Sequence, residues 1–114
     1  MIPGKYNMVC PQGSTFDQQL TYAINDIPVN LTGYTARMQV REKYTSTSAN
    51  ITLTTENGGI TLGGALGSIS LLIGASATSA IVAKDYVYDL ELISNQIVYR
   101  IIEGKFIVTP EVTR

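Results

Sequence analysis

No histidine and no tryptophan occur in this sequence, and there is a single cysteine, Cys10. Without histidine, a Ser-His-Asp or Cys-His catalytic arrangement is impossible, and so is a zinc site built on imidazole. One cysteine excludes an internal disulfide and a cysteine-only metal site within the chain. Flanked by Val9 and Pro11, Cys10 reads as a buried thiol in a reducing compartment. Charge is also scarce: 15% of the residues are charged, where about 25% is usual. Lysine and arginine are scattered, the net charge is −1, and no basic run interleaves with aromatics, so no nucleic-acid partner is expected. The longest apolar run, Ile69 to Ala83, is interrupted by serine and glycine and is too short to cross a bilayer, so no membrane partner is expected. The opening "MIPGKYNMVCPQG" lacks the charged start and continuous apolar stretch of a signal peptide.

The remaining polar inventory does not assemble into a reaction centre. "GGITLGG" lacks the Lys-Ser/Thr ending of a phosphate loop. Asp89 and Glu91 lie two apart on one strand face, where nothing drives their pKa values apart as acid–base catalysis requires. Asp17, Asp26 and Glu56 sit in or beside turns, where local backbone hydrogen bonding accounts for them. No enzyme, metal or cofactor is expected.

What is present is a period of two. Tyr34, Ala36, Met38 and Val40 alternate with Thr35, Arg37, Gln39 and Arg41, the mark of a half-buried strand. "FDQQLTYAI" directs Phe16, Leu20, Tyr22 and Ile24 inward, with Gln18 interrupting. "SISLLI" directs Ile69, Leu71 and Ile73 inward, and "DYVYDLELI" does so with Tyr86, Tyr88, Leu90 and Leu92. "IVYRIIEGKFIV" predicts two strands around Gly104. The part from Ile97 to Ile102 is apolar on both faces and therefore either central or part of an interface. "ENGG" between two "ITL" runs predicts a hairpin joining residues 51–53 to 60–62. Pro28 marks a loop or bulge, and "LGGALG" a second flexible turn. "ASATSAIVA", residues 75–83, is the one helical candidate, with Ser76 or Thr78 as N-cap and Ile81 as its apolar anchor.

These signals predict an all-β fold: an immunoglobulin-like antiparallel β-sandwich of seven to eight strands with one short helical turn. A chain of 114 residues forms about one domain, here 1–114, with 1–4 and 110–114 as extended arms. In such sandwiches a tyrosine just after a corner donates its hydroxyl back to the corner backbone. Tyr86 or Tyr88 fits that role, the alternative being a core tyrosine whose hydroxyl reaches solvent. For Arg37 and Arg41 two readings stand: a wet face cross-paired with Asp89 and Glu91, or a partner-facing patch that includes Gln39.

The segments "VNLTGYTARMQVRE", "ITLTTENGGITLGG", "GSISLLI", "SATSAIVAKDYVYDLELI" and "RIIEGKFIVTPEVTR" resemble a family of small phage virion domains. These accompany tail, baseplate and tail-fibre proteins and are similar to the N-terminal domains of baseplate upper proteins. The resemblance runs from about Met8 onward and implies a structural role without catalytic residues. It implies a bacteriophage virion component, made in the host cytoplasm, that binds other phage structural proteins as a homo- or hetero-oligomer. A tail or baseplate adaptor or fibre-attachment subunit is the first expectation, since no heptad segment or receptor-binding tip follows. A capsid decoration protein is the second, and a carbohydrate- or receptor-binding module is the alternative from another class. The terminal strands "KYNMVC" and "KFIVTPEVTR" have few guarding charges and are expected at sheet edges open to neighbours. With the arginine face, they give the expected interface residues: Ile2, Tyr6, Met8, Arg37, Gln39, Arg41, Ile107, Val112 and Arg114.

Overall fold

Alternation of apolar and polar side chains builds strands that bury one face each, and two sheets close over those faces. The computed structural model describes residues 3–113. In chain order the strands are β1 (Gly4–Lys5), β2 (Met8–Pro11), β3 (Phe16–Thr21), β4 (Ala23–Ile24), β5 (Ile27–Pro28), β6 (Thr35–Arg41) and β7 (Ile51–Thr54). They continue with β8 (Ile60–Leu62), β9 (Ser68–Ile73), β10 (Asp85–Ser94) and β11 (Ile97–Thr109). A 3-10 turn (Gly64–Leu66) joins β8 to β9, and a single helical turn, α1 (Ala75–Ser79), precedes β10. Eight of the strands have three residues or more.

One sheet has the order β1-β11-β10-β6-β7, with β2 also paired to β11; the other has the order β3-β9-β8. The chain passes between the sheets from β2 to β3, from β3 to β6, from β7 to β8 and from β9 to β10. That order makes the fold an all-β, immunoglobulin-like sandwich. Most pairs are antiparallel, but β1 and β2 run parallel to β11, a departure from the wholly antiparallel expectation. The start of the chain therefore lies beside its end, and Gly104 permits the crossing, because a Cβ there would collide with the Tyr6 carbonyl.

The core comes from the inward set of each strand. Met8, Cys10, Met38, Val40, Leu71, Leu90, Leu92 and Phe106 are all buried. Each large aliphatic or aromatic side chain placed there stabilises by about 1.5–3 kcal/mol relative to exposure. Phe16 of β3 and Phe106 of β11 meet across the sheets, ring centroids 5.3 Å apart and tilted by 60°. Gln18 points to the seam between the sheets, where its amide donates to the Tyr6 hydroxyl at 3.3 Å.

The corner before β10 is held by polar groups aimed inward. Tyr86, at the start of the strand, donates its hydroxyl to the Val82 carbonyl at 2.7 Å, so it fills the corner role. Tyr88 donates to the Tyr6 carbonyl at 2.5 Å instead of reaching solvent. Thr78, fully buried, accepts from the Gly13 amide at 3.1 Å, and its hydroxyl lies 2.8 Å from the Ser14 carbonyl. Burial also accounts for Cys10, whose thiol titrates above its ordinary range because its surroundings disfavour the thiolate.

Four local expectations are corrected. The "ENGG" turn is no hairpin: β7 pairs with β6 and β8 with β9, so residues 55–59 carry the chain from one sheet to the other. Positive φ is used only at Gly58, while Asn57 Oδ1 accepts from the Thr54 and Gly59 amides at 2.9 and 2.8 Å. Gly104 lies inside one 13-residue strand rather than between two; a register shift opposite Leu90/Glu91 absorbs the irregularity. Gly74, not Ser76 or Thr78, caps α1, since Thr78 is turned into the core. "KFIVT" is not an edge, because β10 and β2 flank it. Of the expected arms, Gly4 lies in β1 and the Glu111 amide donates to Gln12 Oε1 at 3.2 Å, while Met1, Ile2 and Arg114 lie outside the described residues.

Candidate protein-contact surfaces

The outer face of the larger sheet carries the arginines of β6. Strand register sets Arg37 opposite Glu91, Gln39 opposite Asp89 and Arg41 opposite Val87. Arg37 Nε meets Glu91 Oε1 at 2.6 Å. Asp89 turns to β11, where Arg100 lies 3.4 Å away, and Arg100 also reaches Glu103 at 3.5 Å. Lys5 hydrogen-bonds Glu103 and holds its carboxyl below the ordinary range, with Arg100 assisting. Asp89 is displaced upward, first by burial and then by the charge of Glu91, with Arg100 opposing. Arg41 donates to the Ser46 carbonyl at 2.7 Å and to Gln39 Oε1 at 2.8 Å. Cross-pairing is thus found for Arg37 with Glu91, while Arg41 bonds neutral acceptors and Asp89 pairs with Arg100 of β11. Exposed pairs of this kind contribute about 0–1 kcal/mol each.

The other expected interface residues scatter. Met8 is 1% exposed and belongs to the core, so its place in an interface is corrected: β2 alternates Met8 and Cys10 inward with Val9 outward. Tyr6 is partly exposed beside Gln18. Ile107 is half-buried in β11, and Val112 stands exposed after it. Ile2 and Arg114 lie outside the described residues.

A second surface combines features the sequence reading left apart. β4 and β5 form a ribbon whose turn holds Asn25 and Asp26 at φ of 52° and 65°. The turn between β10 and β11 holds Asn95 and Gln96 at 51° and 69°. The 3-10 turn packs against the first of these: the Tyr22 amide donates to the Gly67 carbonyl at 2.8 Å and the Leu31 amide to the Gly64 carbonyl at 2.9 Å. These turns share one end of the sandwich. Residues 22–34, 63–67 and 94–97 contain one charged side chain, Asp26.

Large aliphatics stand out from that end: Ile24 at 53%, Ile27 at 68%, Leu66 at 73% and Ile97 at 54% exposed. Ile24 was expected to face inward, but the strand ends at Thr21 and the chain leaves the sandwich as a ribbon. Between the turns lies a cavity of about 200 Å³ lined by Tyr22, Ile24, Val29, Tyr34, Leu92 and Tyr99. Burial raises the Tyr22 phenol above its ordinary range, and Tyr34 and Tyr99 add to the effect, so the three phenols share one neighbourhood. Among the described residues, no three His, Cys, Asp or Glu side chains gather as a metal site, and no helix is long and apolar enough to cross a membrane. One signal pointed here: the stretch from Ile97 was apolar on both faces.

No family model matches the chain, and no curated protein does. Among solved structures, one that aligns with it comes from work on parallel homodimers of the extracellular domains of the voltage-gated sodium channel beta4 subunit, described as explaining its role in cell–cell adhesion. The alignment covers 98% of this chain and 97% of that one, at 12% identity and a TM-score of 0.45. The expectation of a bacteriophage virion component, in the tail or on the capsid, is corrected here: the aligned structure is an extracellular channel-subunit domain, not a phage structural protein.

Proposed function

We propose that this chain is a non-catalytic contact module that associates with copies of itself through the apolar end of its sandwich. The observation that carries the reading is the exposure of Ile24, Ile27, Leu66 and Ile97 on turns that hold one charge, with Ile24 lining a cavity beside Tyr22, Tyr34 and Tyr99. Interface cores are enriched in aromatic residues and depleted of charge, whereas on the arginine-bearing face Arg37 is ion-paired with Glu91 and Arg41 is hydrogen-bonded within the chain. Exposed aliphatics scattered singly need no explanation, but four on turns with a single charge form an apolar surface that water covers at a cost. The turns at the ends of immunoglobulin-like sandwiches are also where this architecture carries binding, a point of fold analogy. Sedimentation equilibrium of the full chain tests the reading: mass rising with concentration toward a discrete oligomer is expected. A monomer at every concentration up to about millimolar, where weak association still registers, would contradict it.

A further inference from the structure

We propose that the Asn57 side chain is a plug: it occupies the free edge of β7 in place of a neighbouring strand and keeps that edge from pairing with other chains. β7 is the last strand of the larger sheet. The Thr55 amide donates to the Ala36 carbonyl, so by alternation Leu53 also turns its backbone groups to β6, while Thr52 and Thr54 turn theirs outward. The Asn57 carboxamide meets that outward pair. Its Nδ2 donates to the Thr52 carbonyl at 3.1 Å, and its Oδ1 accepts from the Thr54 amide at 2.9 Å. A strand running parallel to β7 would set one residue opposite Leu53, and the N–H and C=O of that residue would make those same two bonds. A carboxamide carries the donor and acceptor of a peptide group, so one side chain stands in for one residue of the missing strand.

The usual guards are missing from the strand itself. Residues 50–55 read "NITLTT", rich in β-branched side chains and without charge or proline, a composition that invites pairing at an open edge. Glu56 follows, bonded by the Thr55 hydroxyl at 2.8 Å. A cleft of about 440 Å³ is lined by Thr52, Leu53 and Asn57 and, beyond them, by Leu72, Ala77 and Ile81, so the strand stands open beside its plug. The plug is braced from its own turn: the Gly59 amide donates to Oδ1 at 2.8 Å, and the Asn57 amide donates to Thr54 Oγ1 at 2.9 Å. Gly59 lets the turn lie this close to β7, since a Cβ there would meet the Leu53 side chain at 2.7 Å.

The test compares the full chain with Asn57→Ala by sedimentation velocity and by hydrogen–deuterium exchange at low and high concentration. The wild type is expected to gain no protection over residues 50–55 on concentrating. In Asn57→Ala, two reopened hydrogen-bonding positions should strengthen association about tenfold, with the new protection on residues 50–55. Adding Thr52→Lys to Asn57→Ala should return association to the wild-type level, because a lysine on an exposed edge position discourages pairing without restoring the lost bonds. Tyr86→Phe, which loses a corner bond but keeps the plug, should also stay at the wild-type level, separating an open edge from lowered stability. Asn57→Asp retains both acceptor bonds and so the turn, and covers the case in which Asn57→Ala does not fold. In about 1 M salt, where its charge is screened, Asn57→Asp should associate more than the wild type does. Protection of residues 50–55 in the concentrated wild type would overturn the inference. So would Asn57 variants that associate no more than the wild type, or an association that persists with Thr52→Lys or is matched by Tyr86→Phe.

Discussion

The hydroxyl of Tyr86 donates to the backbone oxygen of Val82 at 2.7 Å, four residues upstream. This one bond ties the first turn of β10 to the corner that follows α1. Two residues on, Tyr88 repeats the tactic at longer range, reaching the carbonyl of Tyr6. Between them, two phenols join the last hairpin to its own corner and to the first strands. Tyr86→Phe keeps the ring and deletes the bond, leaving the Val82 carbonyl without that donor. The expected loss is about 0.5–1.5 kcal/mol, read from the urea midpoint with an unchanged slope.

Tyr88 also gives stability a pH dependence. Burial holds its phenol well above the ordinary tyrosine range, and the neighbouring Tyr6 adds to this. The unfolded phenol titrates near pH 10. The folded value is raised, so the folded state retains the proton that the unfolded chain has lost. Its contribution is fully present below about pH 10 and is lost as pH rises from there through the folded value. Burial moves Tyr22 and Tyr86 in the same direction. Chemical denaturation above about pH 10 should therefore show steadily falling stability, with a shallower fall in Tyr88→Phe.

Gly104 predicts a backbone clash. A Cβ at that position meets the carbonyl of Tyr6 and Asn7 Oδ1, the latter at 3.0 Å, and the neighbouring Lys105 amide donates to that same Asn7 oxygen at 3.0 Å. Gly104→Ala should push β1 and the residues after it away from β11, at about 1–3 kcal/mol. Amide exchange at Tyr6, whose donor bonds the Glu103 carbonyl at 2.9 Å, reports the change directly.

The charged face predicts an almost neutral result. Arg37→Ala combined with Arg41→Ala breaks one exposed ion pair and two hydrogen bonds of a guanidinium at the edge of the C-terminal half of β6. The melting curve should shift by no more than about 1 kcal/mol in stability, and self-association should remain at the wild-type level.

Cys10 is fully buried and its thiol titrates high for that reason. Since the thiolate is the reactive form, alkylation of the native chain at neutral pH should be negligible, and complete once denaturant is added.

Faces of strands were legible because a period of two fixes them: the inward sets of β6, β9 and β10 are those the alternation named. Partners of strands were not. "ENGG" carries the chemistry of a tight turn, yet whether Ile51–Thr54 and Ile60–Leu62 pair depends on which sheet each joins, a long-range matter on which Asn and Gly are silent. The candidate contact end was hidden for a related reason. Ile24, Leu66 and Ile97 lie far apart in the sequence, where Ile24 reads as inward-facing, Leu66 as part of a flexible turn and Ile97 as central or interfacial. Only the folding of three turns onto one end shows that they share a surface. The arginines of β6 drew notice because charge on a strand is conspicuous, although register gave Arg37 its partner within the same sheet.

Hydrogen–deuterium exchange on the full chain at low and high protein concentration tests the central claim most directly. Slowed exchange on concentrating, confined to residues 22–34, 63–67 and 94–99, is the predicted result. Concentration-dependent protection on β6 and the facing part of β10, with no change at those turns, would contradict the account.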